Sequence, residues 1–247
     1  MSNINDSFFD GYYRQIWKTI IPAELTVKEV DFMIPYFNLK EGSRVLDLMC
    51  GYGRHAIALA KKGMAVTAVD NLSDYINEIS AVAEKEQLPI QVVKTDVLRY
   101  KSGEQFDLVI CMGNSLNFFN AEDVSKLLNM VSAHLVKGGQ LLINTWSIAE
   151  IAIKNFKEKS WNQIGELKFL TDSKFLFQPT RIETESTIIS NDGKTEVKTG
   201  VDYIFSINEM EMMLSKAGLT LKKIYSIPGR KEFAPGEPRA YFVAEKI

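Results

Sequence analysis

Three acidic residues, Asp47, Asp70 and Asp96, stand at or near the ends of successive short apolar runs, residues 45–49, 65–70 and 90–95. Directly after the first run come Cys50-Gly51-Tyr52-Gly53-Arg54-His55, a glycine turn that leads into a helical pattern. Glycines let backbone approach a ligand closely, and the helix N-terminus beyond them offers unpaired N–H groups with partial positive charge. Such a place takes a carboxylate or a phosphate. Asp47 adds a second condition, because a carboxylate before the turn repels a pyrophosphate and attracts an ammonium group. A ligand that carries both an ammonium and a carboxylate meets both conditions.

The glycines alone leave another reading open. Gly51-x-Gly53-x-x-Ala56 fits the loose dinucleotide fingerprint, and Asp70, 19 residues beyond Gly51, stands where a ribose-binding acid belongs. A nicotinamide enzyme is therefore an alternative, which Asp47 disfavours. Each acid also fits a helix cap. Three of them in order point to a ligand site.

The elements that must position these residues follow an α/β rhythm. Apolar runs at 45–49, 65–70, 90–95, 106–112 and 140–145 alternate with one-faced helical patterns at 54–62, 77–86 (capped by Ser73) and 121–135, the last stopped by Gly138-Gly139. The spacing predicts a Rossmann-like doubly wound sheet, mostly parallel. Residues 1–40 read as a helical cover, with a capping-box spacing at Thr26 and Glu29. Residues 151–205 switch to alternation at 166–170, 174–177, 181–190 and 194–205, with a turn at Asn191-Asp192-Gly193. These segments form an inserted antiparallel β lid. A helix at 207–217 and strands at 219–227 and 239–245 complete the sheet domain, which thus comprises 41–150 and 206–247, the last strand turning back antiparallel.

At this point the residues resemble the class I S-adenosylmethionine-dependent methyltransferases, whose first motif is a strand ending in an acid followed by a glycine turn. The resemblance covers roughly 40–146 and 207–247. It implies S-adenosylmethionine as cofactor, with Asp47, Gly51 and Gly53 around its methionine end. It further implies Asp70 on both ribose hydroxyls, Asn71 and Leu72 flanking the adenine, Asp96 and Val97 at its amino edge, and Met112 at the end of the fourth strand. The family's Asn or Asp followed by two prolines, found in enzymes that methylate nucleic-acid or glutamine amino groups, is absent. Gly113-Asn114-Ser115 instead resembles the small-molecule N-methyltransferases that act on glycine and on sugars.

That narrower resemblance assigns catalysis to Tyr13 and Asn114, and contact with substrate to Tyr12, Trp17, Asn117 and Trp146. Trp146 stands where the glycine enzymes carry a carboxylate-binding arginine, so it suits a larger or cationic substrate. Arg230 and Arg239, in the segment between the last two strands, are candidates for a substrate anion. His55 and His134 show no obvious role as a base. Cys50 and Cys111 match no metal spacing, no metal is expected, and both read as small core residues.

The 29 basic and 31 acidic residues give a net charge of −2, which offers no broad positive field for nucleic acid. The first ten residues are polar where a secretion signal would be apolar, and no apolar run approaches ~20 residues. The expected protein is a cytoplasmic methyltransferase that modifies a nitrogen or oxygen of a small molecule, with neither nucleic acid nor membrane as partner. A silent S-adenosylmethionine-binding regulatory protein is the second reading. Oligomeric state has no signature in the sequence.

Overall fold

The computed structural model describes residues 3–247. A short 3-10 turn, Ile4–Ser7, precedes helices α1 (Gly11–Ile20) and α2 (Ala23–Tyr36). Strands and helices then alternate as β1 (Arg44–Leu48), α3 (Arg54–Lys61), β2 (Ala65–Asp70), α4 (Ser73–Glu86), β3 (Ile90–Lys94), β4 (Phe106–Cys111), α5 (Ala121–His134) and β5 (Leu135–Thr145). After α6 (Ala149–Asn155) come β6 (Lys159–Ile164), β7 (Leu167–Phe177), β8 (Thr180–Ile189) and β9 (Thr195–Tyr203). The chain ends in α7 (Ile207–Lys216), β10 (Leu219–Ile227), β11 (Lys231–Glu232) and β12 (Ala240–Lys246).

The central sheet has eight strands in the order β11-β10-β12-β5-β4-β1-β2-β3. Strands β1 to β5 pair in parallel, and β12 runs antiparallel between β5 and β10. This is the doubly wound, mostly parallel architecture with an antiparallel last strand that the rhythm of the sequence predicts. Its strands are buried on both faces, which explains their near-continuous apolar runs. One face packs Val30, Met33, Leu59 and Ile79 of α2, α3 and α4, and the other packs Leu127, Val131, Met210 and Leu214 of α5 and α7. The reversal of strand order between β1 and β4 opens a crevice at the carboxyl ends of the strands, where ligands bind in folds of this kind.

Strands β6 to β9 form a separate four-stranded antiparallel sheet. The two predicted segments 166–170 and 174–177 are one strand, β7, because residues 171–173 keep the alternation and all pair with β8, Thr171 and Asp172 with β6 as well. Strand β6 and helix α6 were not foreseen. β6 exposes most of its residues, Trp161 included, so it carries little apolar alternation to read.

Three local expectations are corrected. Thr26 and Glu29 do not begin a helix: α2 starts after Pro22, and both residues lie buried within it, bonded to other elements. Ser73 is the first residue of α4 rather than its cap, and its hydroxyl meets Lys94. Gly138 and Gly139 do not stop α5, which ends at His134. They lie inside β5 where its register against β4 shifts, and a Cβ on Gly139 would stand 2.9 Å from the Val136 carbonyl.

Candidate functional site

The carboxyl ends of β1, β2 and β4 open into one pocket, which the amino-terminal segment covers. Asp47, Gly51, Asp70, Asn71, Leu72, Asp96, Val97 and Met112, all assigned to the cofactor from the sequence, line it together with Trp17. Gly53 does not line it. Its φ of +76° ends the turn, and a Cβ there would stand 2.6 Å from Ile79 Cγ1, so glycine serves both the turn and the packing of α3 on α4.

The acids differ in what they hold. Asp70 accepts the backbone N–H groups of Gly51 at 2.9 Å and Leu72 at 3.0 Å, one on each oxygen. Burial pushes its carboxyl up against these stabilising bonds. Each oxygen keeps a further lone pair that can accept a vicinal hydroxyl. Asp96 accepts the Leu98 N–H at 2.9 Å and so caps the 3-10 turn Val97–Arg99.

Asp47 is 1% exposed, and its Oδ2 has no hydrogen-bond partner among the described residues. Burial pushes its carboxyl up to about 7, while the Arg54 charge and a backbone N–H of Ala56 pull the other way. A buried carboxylate oxygen left open beside a ligand cavity is costly unless a cation fills the gap.

A polar network beneath the glycine turn escaped the sequence reading. Glu29 accepts Arg54 Nη1 at 2.6 Å, His55 Nε2 at 2.9 Å and the Tyr241 hydroxyl at 2.7 Å. Its own burial raises the carboxyl, but His55, Arg54 and Tyr241 outweigh this and hold it at about 2. Burial keeps His55 neutral. Because ionised Glu29 can only accept, Nε2 of His55 carries the proton. Arg54 and His55 both line the pocket, so α3 presents a fixed guanidinium at its first turn.

The amino-terminal cover is tied down by Asn5, whose Nδ2 donates to the carbonyls of Phe118 and Val201 and whose Oδ1 accepts the Val201 N–H. Asn71 donates to Asp6 at 2.7 Å. Asn3, Asn5, Asp6 and Phe9 all line the pocket, and nothing in the residue types of so short a 3-10 turn marked them.

Asn114 sits just past β4 with φ +70° and is 1% exposed. Its Nδ2 donates to Ser147 Oγ at 2.8 Å and to Asp202 Oδ1 at 2.7 Å. Its Oδ1 accepts Thr145 Oγ1 and the N–H groups of Trp146 and Ser147 within 3.0 Å. The amide therefore has no donor left for a nucleophile, and its acceptor is surrounded, which corrects the direct contact expected of it. Asn117 is engaged likewise, donating to the carbonyls of Ser147 and Tyr203.

Other expected substrate contacts divide. Trp146 packs against Trp17 with ring centroids 6.0 Å apart. Tyr13 lies in an aromatic cluster with Phe8, Phe9 and Phe169, and burial and then the Asp202 charge push its phenol up, so it stays protonated. Tyr12 packs on the cluster of Ile16, Leu167 and Ile188, away from the pocket lining, and its N–H donates to Glu196. Arg230 and Arg239 do not line the pocket, because their hairpin lies against α2 through Phe32 and Tyr225. His134 accepts the Ser102 N–H and stacks on Tyr100, and Cys50 and Cys111 are free thiols. Among the described residues there is no cluster that could hold a metal, and no helix long and apolar enough to cross a membrane.

The strand order, the glycine turn after β1 and the acids after β2 and β3 define a Rossmann-like fold of the methyltransferase type. Residues 45–139 match the family described as Methyltransferase domain. A provisionally named methyltransferase of Geobacillus sp. (strain WCH70) is 28% identical over 211 residues, 82% of this chain and 84% of its own. In fold, the chain is similar to an S-adenosylmethionine-dependent methyltransferase from Clostridium acetobutylicum (TM-score 0.82, 18% identity, 95% and 96% of the two chains). It is also similar to CalS10, an amino pentose methyltransferase from Micromonospora echinaspora (TM-score 0.73, 18% identity, 96% and 98%). Residues 45–139 thus match a methyltransferase domain, and the chain shares its fold with S-adenosylmethionine-dependent methyltransferases.

Proposed function

We propose that the protein transfers the methyl group of S-adenosylmethionine to a nitrogen or oxygen of a small molecule in the cytoplasm. The observation that carries this reading is the pair of unequal acids in one pocket, Asp47 with an open buried oxygen and Asp70 with a lone pair free on each oxygen. Asp47 receives the cofactor's ammonium, Arg54 and the α3 N-terminus its carboxylate, Asp70 the ribose hydroxyls, and Asn71, Leu72, Asp96 and Val97 the adenine. Bound there, the cofactor supplies an electrophilic methyl group on a sulfonium. The chain's part is to hold a neutral nucleophile in line and to exclude water. Residues 3–9 and strands β6 to β9 act as the cover that excludes it, with Tyr13, Trp17 and Trp146 on the substrate side.

The likeness to an amino pentose methyltransferase supports a small polar acceptor, and the net charge of −2 argues against nucleic acid. Adenosylhomocysteine release should be measured across a panel of small amines and alcohols. Turnover of members of that panel is the expected result. Tight adenosylhomocysteine binding with no release from any of them would favour the silent regulatory protein instead.

A further inference from the structure

Asp202 lies on β9, outside every residue assigned to the cofactor. Its Oδ1 is fixed by Asn114 Nδ2 at 2.7 Å and Ser147 Oγ at 3.3 Å. Its Oδ2 accepts from no described residue, and Asp202 takes part in no ion pair among them. The groups that face it are Tyr13 from α1, Asn114 after β4 and Ser147 after β5. None of them is a cation. Tyr13, which faces it, packs on Phe9 and Phe169, and Phe9 on Phe118; Trp146, whose N–H Asn114 accepts, packs on Trp17. Phe9, Trp17 and Phe118 line the cofactor pocket, as do Gly113 and Ser115 on either side of Asn114, so the residues that touch Asp202 border that pocket although Asp202 itself does not line it.

A carboxylate held by two neutral donors, faced by a phenol of an aromatic cluster and without a cation of its own, has the chemistry that recognises an ammonium group. We infer that Asp202 is the substrate-binding carboxylate of this enzyme and that the methyl acceptor is a cationic amine. Oδ2 pairs with the incoming ammonium and takes one of its protons, which leaves a neutral amine. The amine lone pair then forms the N–C bond while the S–C bond breaks with its electron pair on sulfur, and Asp202 returns its proton to solvent. Asn114 is a positioning residue in this scheme: it aims Asp202.

The inference rests on the pocket being the adenosylmethionine site, so the test separates the two. Two adenosylhomocysteine analogues are titrated by calorimetry, one bearing an aminoethyl arm where the methyl would sit and the other a hydroxyethyl arm. Wild type should bind the aminoethyl compound at least about tenfold more tightly, the scale of a hydrogen-bonded charge pair. Asp202→Asn, which keeps the acceptor for Asn114, should abolish that preference yet bind adenosylhomocysteine within about threefold of wild type. Should the variant not fold, wild type alone decides. Burial pushes the Asp202 carboxyl up to about 6, so the preference should fade as pH drops below that value while the aminoethyl arm stays charged. A wild type without preference, a variant that keeps it, or a preference flat with pH overturns the inference. Failure of wild type to bind adenosylhomocysteine overturns the cofactor reading first.

Discussion

Replacing Asp70 by alanine is expected to weaken adenosylhomocysteine binding by about 2 to 4 kcal/mol, the loss of two charge-assisted hydrogen bonds to the ribose. The substitution also frees the Gly51 and Leu72 N–H groups that Asp70 accepts, so part of the loss comes from a looser glycine turn. Asp70→Asn distinguishes the two contributions. Its amide can still accept one backbone N–H but presents an NH2 where the second acceptor stood, so its affinity should lie between wild type and alanine. Calorimetry on folded protein measures both. An alanine variant with unchanged affinity would remove Asp70 from the site.

The second large effect is on stability. Asn114→Ala should lower the unfolding free energy by about 3 kcal/mol, because it strands the N–H of Trp146, leaves that of Ser147 only its longer bond to Thr145 Oγ1, and leaves the Asp202 carboxylate with one weak donor. For a chain of this length that is a fall in melting temperature of about 6 to 12 °C. A turn-capping asparagine on the surface would cost about 1 kcal/mol. A variant that melts with wild type would show that the buried amide network does not hold this end of the sheet.

The fold was readable because a parallel sheet buried on both faces writes long apolar runs, and each helix between them shows one apolar stripe. That Asp47, Gly51, Asp70 and Asp96 would meet in one pocket was readable for a related reason: they sit at or near strand ends, and a strand end in this topology is already a position in the crevice. What stayed hidden depends on contacts between distant segments. Glu29 looks like a capping residue until α2 packs on α3 and brings Arg54, His55 and Tyr241 around it. Asp202 is one acid in an alternating strand, and only the meeting of β9 with the loops after β4 and β5 gives it Asn114 and Ser147. The reverse error came from local spacing. Arg230 and Arg239 sit in a connection at the right end of the sheet, but aromatic packing on α2 holds that hairpin off the pocket lining.

The central claim, that this pocket takes a zwitterionic cofactor through Asp47, is tested most directly by titrating adenosylhomocysteine from about pH 5.5 to about pH 8, with NADH as the comparison ligand. In the free protein burial holds the Asp47 carboxyl up at about 7, with Arg54 opposing and Asp70 adding to the shift. An ammonium ligand needs that carboxylate ionised. Affinity should therefore be highest above pH 7 and fall by up to about tenfold per unit below it, with Asp47→Asn weak and nearly flat across the range. The same raised carboxyl favours the ligand-free fold at low pH, a contribution lost as pH rises through 7. NADH should not bind measurably. Tight NADH binding, or adenosylhomocysteine affinity indifferent to both pH and Asp47, would contradict the account.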